Sequence, residues 1–164
     1  MIINIIEYFE CTVKTTPQKP AVIDGDKTYS FEQLEFKAKK LANAVIHKTS
    51  APLQPIAVYL PKSAENIIAN IGTIYSGNFY SNLDTKTPLN RICNIIANIS
   101  PALIITNKEL SKNLINNGVS KNLIFEIEEL EKEGDFNNID IFDRLSKIID
   151  TDPLCIINTS GSTG

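Results

Sequence analysis

The 164-residue chain has only two arginines, Arg91 and Arg144, and one histidine, His47. A nucleic-acid surface needs clustered basic side chains to neutralise phosphates. A net charge of −3 with two isolated arginines argues against such a partner. Long apolar runs are missing too: none approaches the roughly 18 residues of a membrane span, so no membrane partner is expected. The first residues, Met1-Ile2-Ile3-Asn4-Ile5-Ile6-Glu7, lack the basic stretch and small-residue cleavage site of a signal peptide. Cysteine is scarce and odd in number. Cys11, Cys93 and Cys155 are widely spaced among apolar neighbours, and read as reduced core thiols of a cytoplasmic protein, not disulfides or metal ligands. No repeat or low-complexity segment interrupts the chain. Its 43% hydrophobic and 21% charged content is that of one globular domain with a real core.

What is present is an ordered alternation. Ile2, Ile5, Ile6, Phe9 and Val13 space an amphipathic helix that stops before Pro17. Residues 21–23 and 27–29 flank Asp24-Gly25 as a hairpin. Ser30 caps a second helix, with Gln33 completing a capping box, and its apolar face is Phe31, Leu34, Ala38, Leu41, Ala42 and Val45. Short apolar runs at 56–60, 79–83, 102–106, 123–127 and 154–158 then alternate with helical patterns. One helix starts at Ser63, with Ala64, Ile67, Ile68, Ile71, Ile74 and Tyr75 on one side and Gly77 at its left-handed stop. The next starts at Thr87-Pro88, with Leu89, Ile92, Cys93, Ile96 and Ile99 as its stripe. Two more fall at 109–117 and 141–149, and the polar stretch 128–138 reads as an exposed connection. Buried strands alternating with amphipathic helices make a mostly parallel sheet covered on both faces, an α/β fold with an N-terminal helix and hairpin.

The chain closes on Thr159-Ser160-Gly161-Ser162-Thr163-Gly164, directly after the last buried run. Composition alone makes such a hexamer a flexible tail. A glycine-rich turn at the carboxyl end of a buried strand also lets backbone N–H groups converge on an anion, with the hydroxyls as further donors. It is not a Walker A loop, because no lysine follows the glycine.

Three segments, in order, resemble the adenylate-forming (AMP-binding) enzymes, which include nonribosomal peptide adenylation domains, D-alanine–carrier protein ligases and acyl-CoA synthetases. Thr28-Tyr29-Ser30-Phe31-Glu32-Gln33-Leu34 is similar to the family's early T-Y-x-E-L segment. Residues 75–84 (Tyr75-Ser76-Gly77-Asn78-Phe79-Tyr80-Ser81-Asn82-Leu83-Asp84), followed by Pro88 and Arg91-Ile92, resemble K-A-G-x-A-Y-V-P-L-D-P with its P and R-I. Asn158 and the closing hexamer match the start of T-S-G-S-T-G-x-P-K-G. Tyr75-Ser76 stands where the family has Lys-Ala, and Asn82 where it has Pro.

The resemblance implies that residues 1–164 are the N-terminal portion of one adenylation domain, cut within its phosphate loop. It implies ATP-dependent activation of a carboxylate, an amino acid by the phrasing of the hairpin and second helix. Pyrophosphate leaves, and the acyl group passes to the phosphopantetheine of a carrier protein or to coenzyme A. Thr159 and Ser160 are the first expected phosphate contacts, Ser162 and Thr163 the next, with Gly161 and Gly164 permitting the turn. Mg²⁺ accompanies the nucleotide, with no carboxylate ligand identifiable. The remaining motifs of the family would follow Gly164, so this stretch alone is expected to be inactive and prone to self-association. The alternatives are an acyl-CoA synthetase fragment and a non-catalytic α/β binding module; a P-loop NTPase is disfavoured because its loop follows the first strand. His47 reads as a helix-end surface residue, Asp84 as a turn residue, Arg91 as the partner of a nearby carboxylate or a cap on packing, Tyr75 and Tyr80 as core-edge aromatics. Glu128, Glu129, Glu131 and Glu133 read as a solvated face.

Overall fold

The computed structural model describes residues 4–132 and 134–158. Helix α1 (Ile5–Thr15) starts at Asn4, whose side chain accepts from the Ile6 N–H. Strands β1 (Pro20–Asp24) and β2 (Lys27–Ser30) pair antiparallel through a turn in which Gly25 takes φ +57°. Ser30 and Gln33 then form the reciprocal capping box that opens α2 (Phe31–Lys48). From there the chain alternates: β3 (Pro55–Tyr59), α3 (Ala64–Tyr75), β4 (Phe79–Asn82), α4 (Leu89–Ile99), β5 (Leu103–Thr106), α5 (Lys108–Asn116), β6 (Ile124–Glu126), α6 (Asn138–Leu145) and β7 (Cys155–Ile156). The five strands β6-β5-β3-β4-β7 form one sheet in that order, every pairing parallel.

Strand alternation divides the core. Ile56, Val58, Leu103, Ile105 and Phe125 face α2 and α3, where Leu34, Leu41, Val45, Ile68 and Ala69 meet them. Ala57, Tyr59 and Ile104 face the other way, against Ile92 and Ile96 of α4 and Leu114 of α5. All four residues of β5 are buried, as a central parallel strand covered on both faces requires. Gly72 lets α3 close on α2: a Cβ there would lie 2.9 Å from the Ala38 carbonyl oxygen. A further layer sits outside this pair, where Ile6 of α1 and Ile141 of α6 pack with Ala38, Ala42 and Tyr75.

Several expectations are corrected. Cys11 is exposed, because α1 buries the opposite side through Ile6 and Val13; Cys93 and Cys155 are only half-buried. Helix α4 begins one residue later than the Thr87-Pro88 pair suggests. The Thr87 N–H is taken by the Asp84 carbonyl in a preceding turn, and no side chain caps the helix at Pro88. Ile67 is exposed although it shares the α3 spacing. The stretch 128–138 is not all connection: a 3-10 helix over Ile127–Lys132 buries Ile127 and Leu130. Helix α6 lies earlier than 141–149, and β7 keeps two of five expected residues. Tyr75 is fully buried, not at the core's edge. Arg91 is exposed and makes no ion pair among the described residues. Ile2 and Glu133 lie outside the described residues.

Candidate functional site

In an open parallel sheet, ligands gather beyond the carboxyl ends of the strands. Here that rim is made by Tyr59-Leu60, Asn82-Leu83, Thr106-Asn107 and Ile157-Asn158. Parallel pairing of Tyr80 with Cys155 and Ser81 with Ile156 aims β7 at this rim. Asn158, the last described residue, donates from Nδ2 to Ser81 Oγ at 3.1 Å, which fixes the point where the chain leaves the sheet. The expected phosphate contacts Thr159, Ser160, Gly161, Ser162, Thr163 and Gly164 lie outside the described residues.

The rim beside that exit is polar and internally tied. Asn66 of α3 donates from Nδ2 to Asn82 Oδ1 (3.3 Å) and to the Leu60 carbonyl (3.4 Å). Asn70 in turn donates to Asn66 Oδ1 at 3.2 Å, leaving its own Oδ1 buried without a partner. Asn82 stands where the family pattern has proline, so this departure replaces a rigid residue by an amide that bridges strand to helix. On the far side Thr106 Oγ1 donates to the Tyr59 carbonyl at 2.8 Å, stitching the ends of β5 and β3 together. Asp84 has the expected turn role: its Oδ1 accepts from the Lys86 N–H and its carbonyl from Thr87. Tyr59 ionises above the ordinary tyrosine value, through burial first and then the neighbouring Cys93 and Asp84. Tyr80 is raised likewise, by burial and by Cys155.

Two depressions matter. The larger, about 640 Å³, lies between Ile5, Tyr8, Leu53, Ile74, Leu145 and Leu154. It opens at the amino end of the sheet, and its apolar walls suit no polyphosphate. The smaller, about 440 Å³, opens at the rim between the β3–α3 and β5–α5 connections, where α3 and α5 take opposite faces of the sheet. Leu60, Ile68 and Ile127 floor it, while Lys37 and Glu131 pair across its mouth at 3.1 Å. Strand spacing of about 4.8 Å puts β7 some 10 Å from this crevice, well within the ~20 Å reach of six extended residues. His47 is exposed at the end of α2, as expected. Among the described residues no group of three His, Cys, Asp or Glu is gathered as a metal site, and no helix is long and apolar enough to cross a membrane.

The second family segment thus has a mainly structural geometry. Tyr75, in the lysine position, is buried with its hydroxyl 3.3–3.4 Å from Glu35 and Glu10 and with Lys39 over its ring. Ser76 donates to the Thr73 carbonyl and accepts from Asn78, and Gly77 adopts φ +72° to stop α3. The family's AMP-binding enzyme model matches residues 9–164, which takes in the whole sheet and all three segments. The chain belongs to the AMP-binding enzyme family.

A dimodular nonribosomal peptide synthase of Bacillus subtilis (strain 168) is 29% identical over 166 residues, 99% of this chain and 7% of that protein. The chain thus spans a small part of that relative's length. Among solved structures, the AMPPNP-bound form of the nonribosomal peptide synthetase FmoA3 superposes with a TM-score of 0.79 at 18% identity, over 94% of this chain and 16% of the other. The O-succinylbenzoate coenzyme A synthetase of Bacillus subtilis, in complex with AMP, gives 0.75 at 19% identity, over 99% and 40%. These likenesses establish the fold as that of an adenylate-forming N-terminal region. Sequence reasoning missed the Asn66–Asn82 and Asn158–Ser81 bridges. Their only sequence signal was a polar residue inside or beside an otherwise apolar element.

Proposed function

We propose that the chain is the N-terminal portion of one adenylation domain that activates a carboxylate, an amino acid in this reading, with ATP. A carboxylate oxygen attacks the α-phosphorus, the bond to the bridging oxygen of the β-phosphate breaks, and pyrophosphate leaves with the electron pair. The sulfur of a phosphopantetheine thiol on a carrier protein then attacks the acyl carbon, forming a thioester as the acyl C–O bond breaks, with AMP leaving and the thiol proton passing to solvent. The observation that carries the reading is the family match running through residue 164, together with a β7 directed at the rim just ahead of Thr159-Ser160-Gly161-Ser162-Thr163-Gly164. The synthase relative supports an amino acid substrate, and the AMPPNP bound to FmoA3 supports the nucleotide. The coenzyme A synthetase neighbour supports a second reading in which coenzyme A is the acceptor.

In this proposal the hexamer's amides and hydroxyls hold the β- and γ-phosphates, so that charge growing on pyrophosphate meets donors already in place. Thr159 and Ser160 make the first contacts, Ser162 and Thr163 the next. Mg²⁺ travels with the nucleotide and offsets its charge, and no described residue is assigned to it. Calorimetric titration with MgATP tests the assignment. Ser160→Ala should weaken binding about tenfold, the loss of one hydrogen bond to a charged group. Unchanged affinity contradicts it. Residues 1–164 by themselves are expected to show no ATP–pyrophosphate exchange, and exchange at the rate of a whole adenylation domain would contradict this.

A further inference from the structure

Arg144 is one of two arginines in the chain and is only 9% exposed. A guanidinium does not lose its proton in a protein, and burying one is unfavourable unless its charge is met. No carboxylate meets it among the described residues. Its Nη2 donates instead to the carbonyls of Thr49 (2.7 Å) and Ile46 (3.4 Å). These belong to the last turn and cap of α2, where carbonyls lack intrahelical partners and the helix dipole presents its negative end. Nη1 is buried without a partner. An apolar side chain would fill this volume without that desolvation cost, so the geometry gained is the better account of an arginine here.

The rest of α6 is weakly held. Ile139 and Phe142 are exposed, and Ile141 is the apolar side chain it buries fully. The end of α6 is nevertheless pressed against the turn that starts β4: a Cβ on Gly77 would lie 3.2 Å from both Cβ and the carbonyl oxygen of Arg144. From that point an almost continuous series of short-range hydrogen bonds leads to the sheet. Lys147 N donates to Arg144 O, Ile148 N to Leu145 O, and Asp152 N to Ile149 O. Asp152 Oδ2 accepts from Ile149 N, and Leu154 O accepts from Tyr80 N.

We infer that Arg144 is a positioning residue that locks α6 to the carboxyl end of α2 and, through the turns of residues 146–154, sets where β7 leaves the rim. Its bearing on nucleotide binding rests on the reading of residues 159–164 as the phosphate loop; its effect on β7 does not. Native-state amide exchange tests it on the whole chain, with an internal control just past the end of β4. The Tyr80 amide bonds to Leu154 on the β7 side, and the Leu83 amide bonds to Val58 on the β3 side. Arg144→Met should speed exchange at Tyr80 and Ile156 about tenfold or more, while Leu83 changes less than about twofold, a local opening and not a global one. Arg144→Lys keeps a charged donor but replaces the planar guanidinium fork by a single ammonium, and should restore part of the protection at Tyr80. If the Met variant does not fold, the Lys variant decides alone, through the same selective acceleration in smaller measure. Equal acceleration at Tyr80 and Leu83, or none at Tyr80, overturns the inference. MgATP affinity measured on the same variants reports on the loop separately, so failure there with a selective effect at Tyr80 would count against the phosphate-loop reading alone.

Discussion

The two edges of the parallel sheet are finished differently. At one, β6 places Phe125 fully inside the core, and the chain then folds back through a 3-10 helix that buries Ile127 and Leu130. Side chains seal it: Ser111 donates to Glu126 at 2.6 Å, and Glu128 accepts from the Lys108 N–H. At the other edge β7 pairs for only two residues, both half-buried, and Ile157 is 79% exposed. An unpaired edge bordered by exposed apolar side chains favours association with more polypeptide. The contrast separates an edge sealed by side chains from one that stays open among the described residues. The β6 edge is closed by local structure, whereas the β7 edge faces outward with the candidate loop just beyond it.

The comparison can be broken first at Phe125. Phe125→Ala should cost about 4 kcal/mol in urea unfolding, the range for a buried aromatic; a loss below 1 kcal/mol would show that the β6 edge is not closed by packing. Gly72→Ala, behind the sheet's centre, should cost about 2 kcal/mol, because the added Cβ meets a backbone carbonyl at 2.9 Å that cannot rotate away. Tyr75→Phe should cost about 1 kcal/mol near neutrality, the value of a buried hydroxyl's hydrogen bonds. Tyr75 carries a pH signature as well. Burial first, then Glu35 and Glu10, push its ionisation well above the ordinary 10.0. A folded value above the unfolded one stabilises fully below pH 10 and is lost as the pH rises further. Alkaline unfolding should therefore be shallower in the Phe variant than in the wild type, and superimposable curves would contradict this. Ile157→Lys should change stability by less than about 0.5 kcal/mol, while reducing self-association in sedimentation; unchanged association would remove β7 as the sticky edge. The smallest effect is expected at Glu131, whose ionisation is lowered by its hydrogen bond and charge pairing with Lys37. That contribution is present above the unfolded glutamate value and lost as the pH falls through the lowered one. Being largely exposed, Glu131→Gln should cost at most about 0.5 kcal/mol, less in high salt.

Much of the fold was legible because periodicity reports burial. The capping box at Ser30 and Gln33, the stop at Gly77, and strands at 56–60, 79–83 and 102–106 are local signals, and local physics decides them. The errors fall where distant contacts decide. Thr87 loses its cap to a turn begun by Asp84, and Leu130 is buried by tertiary packing that an acidic stretch conceals. Strand order was not readable at all: β7, last in sequence, lies beside β4 because the chain crosses the whole sheet after β6. Of the site, the composition of residues 159–164 and their strand context were legible. The amide bridges of Asn66, Asn82 and Asn158 were not, since an asparagine's partner depends on which element lands opposite it.

The central claim is that the hydroxyl- and glycine-rich hexamer beyond β7 meets the phosphates of a nucleotide. Amide chemical-shift mapping of the chain during titration with MgATP, and separately with pyrophosphate, tests it most directly. The account predicts the largest shifts at Ser160, Gly161 and Gly164, smaller ones at Asn158 and Asn82, and none along the apolar groove of Ile5, Tyr8 and Leu145. Shifts centred on that groove, or a hexamer that stays silent at saturating nucleotide, would contradict it.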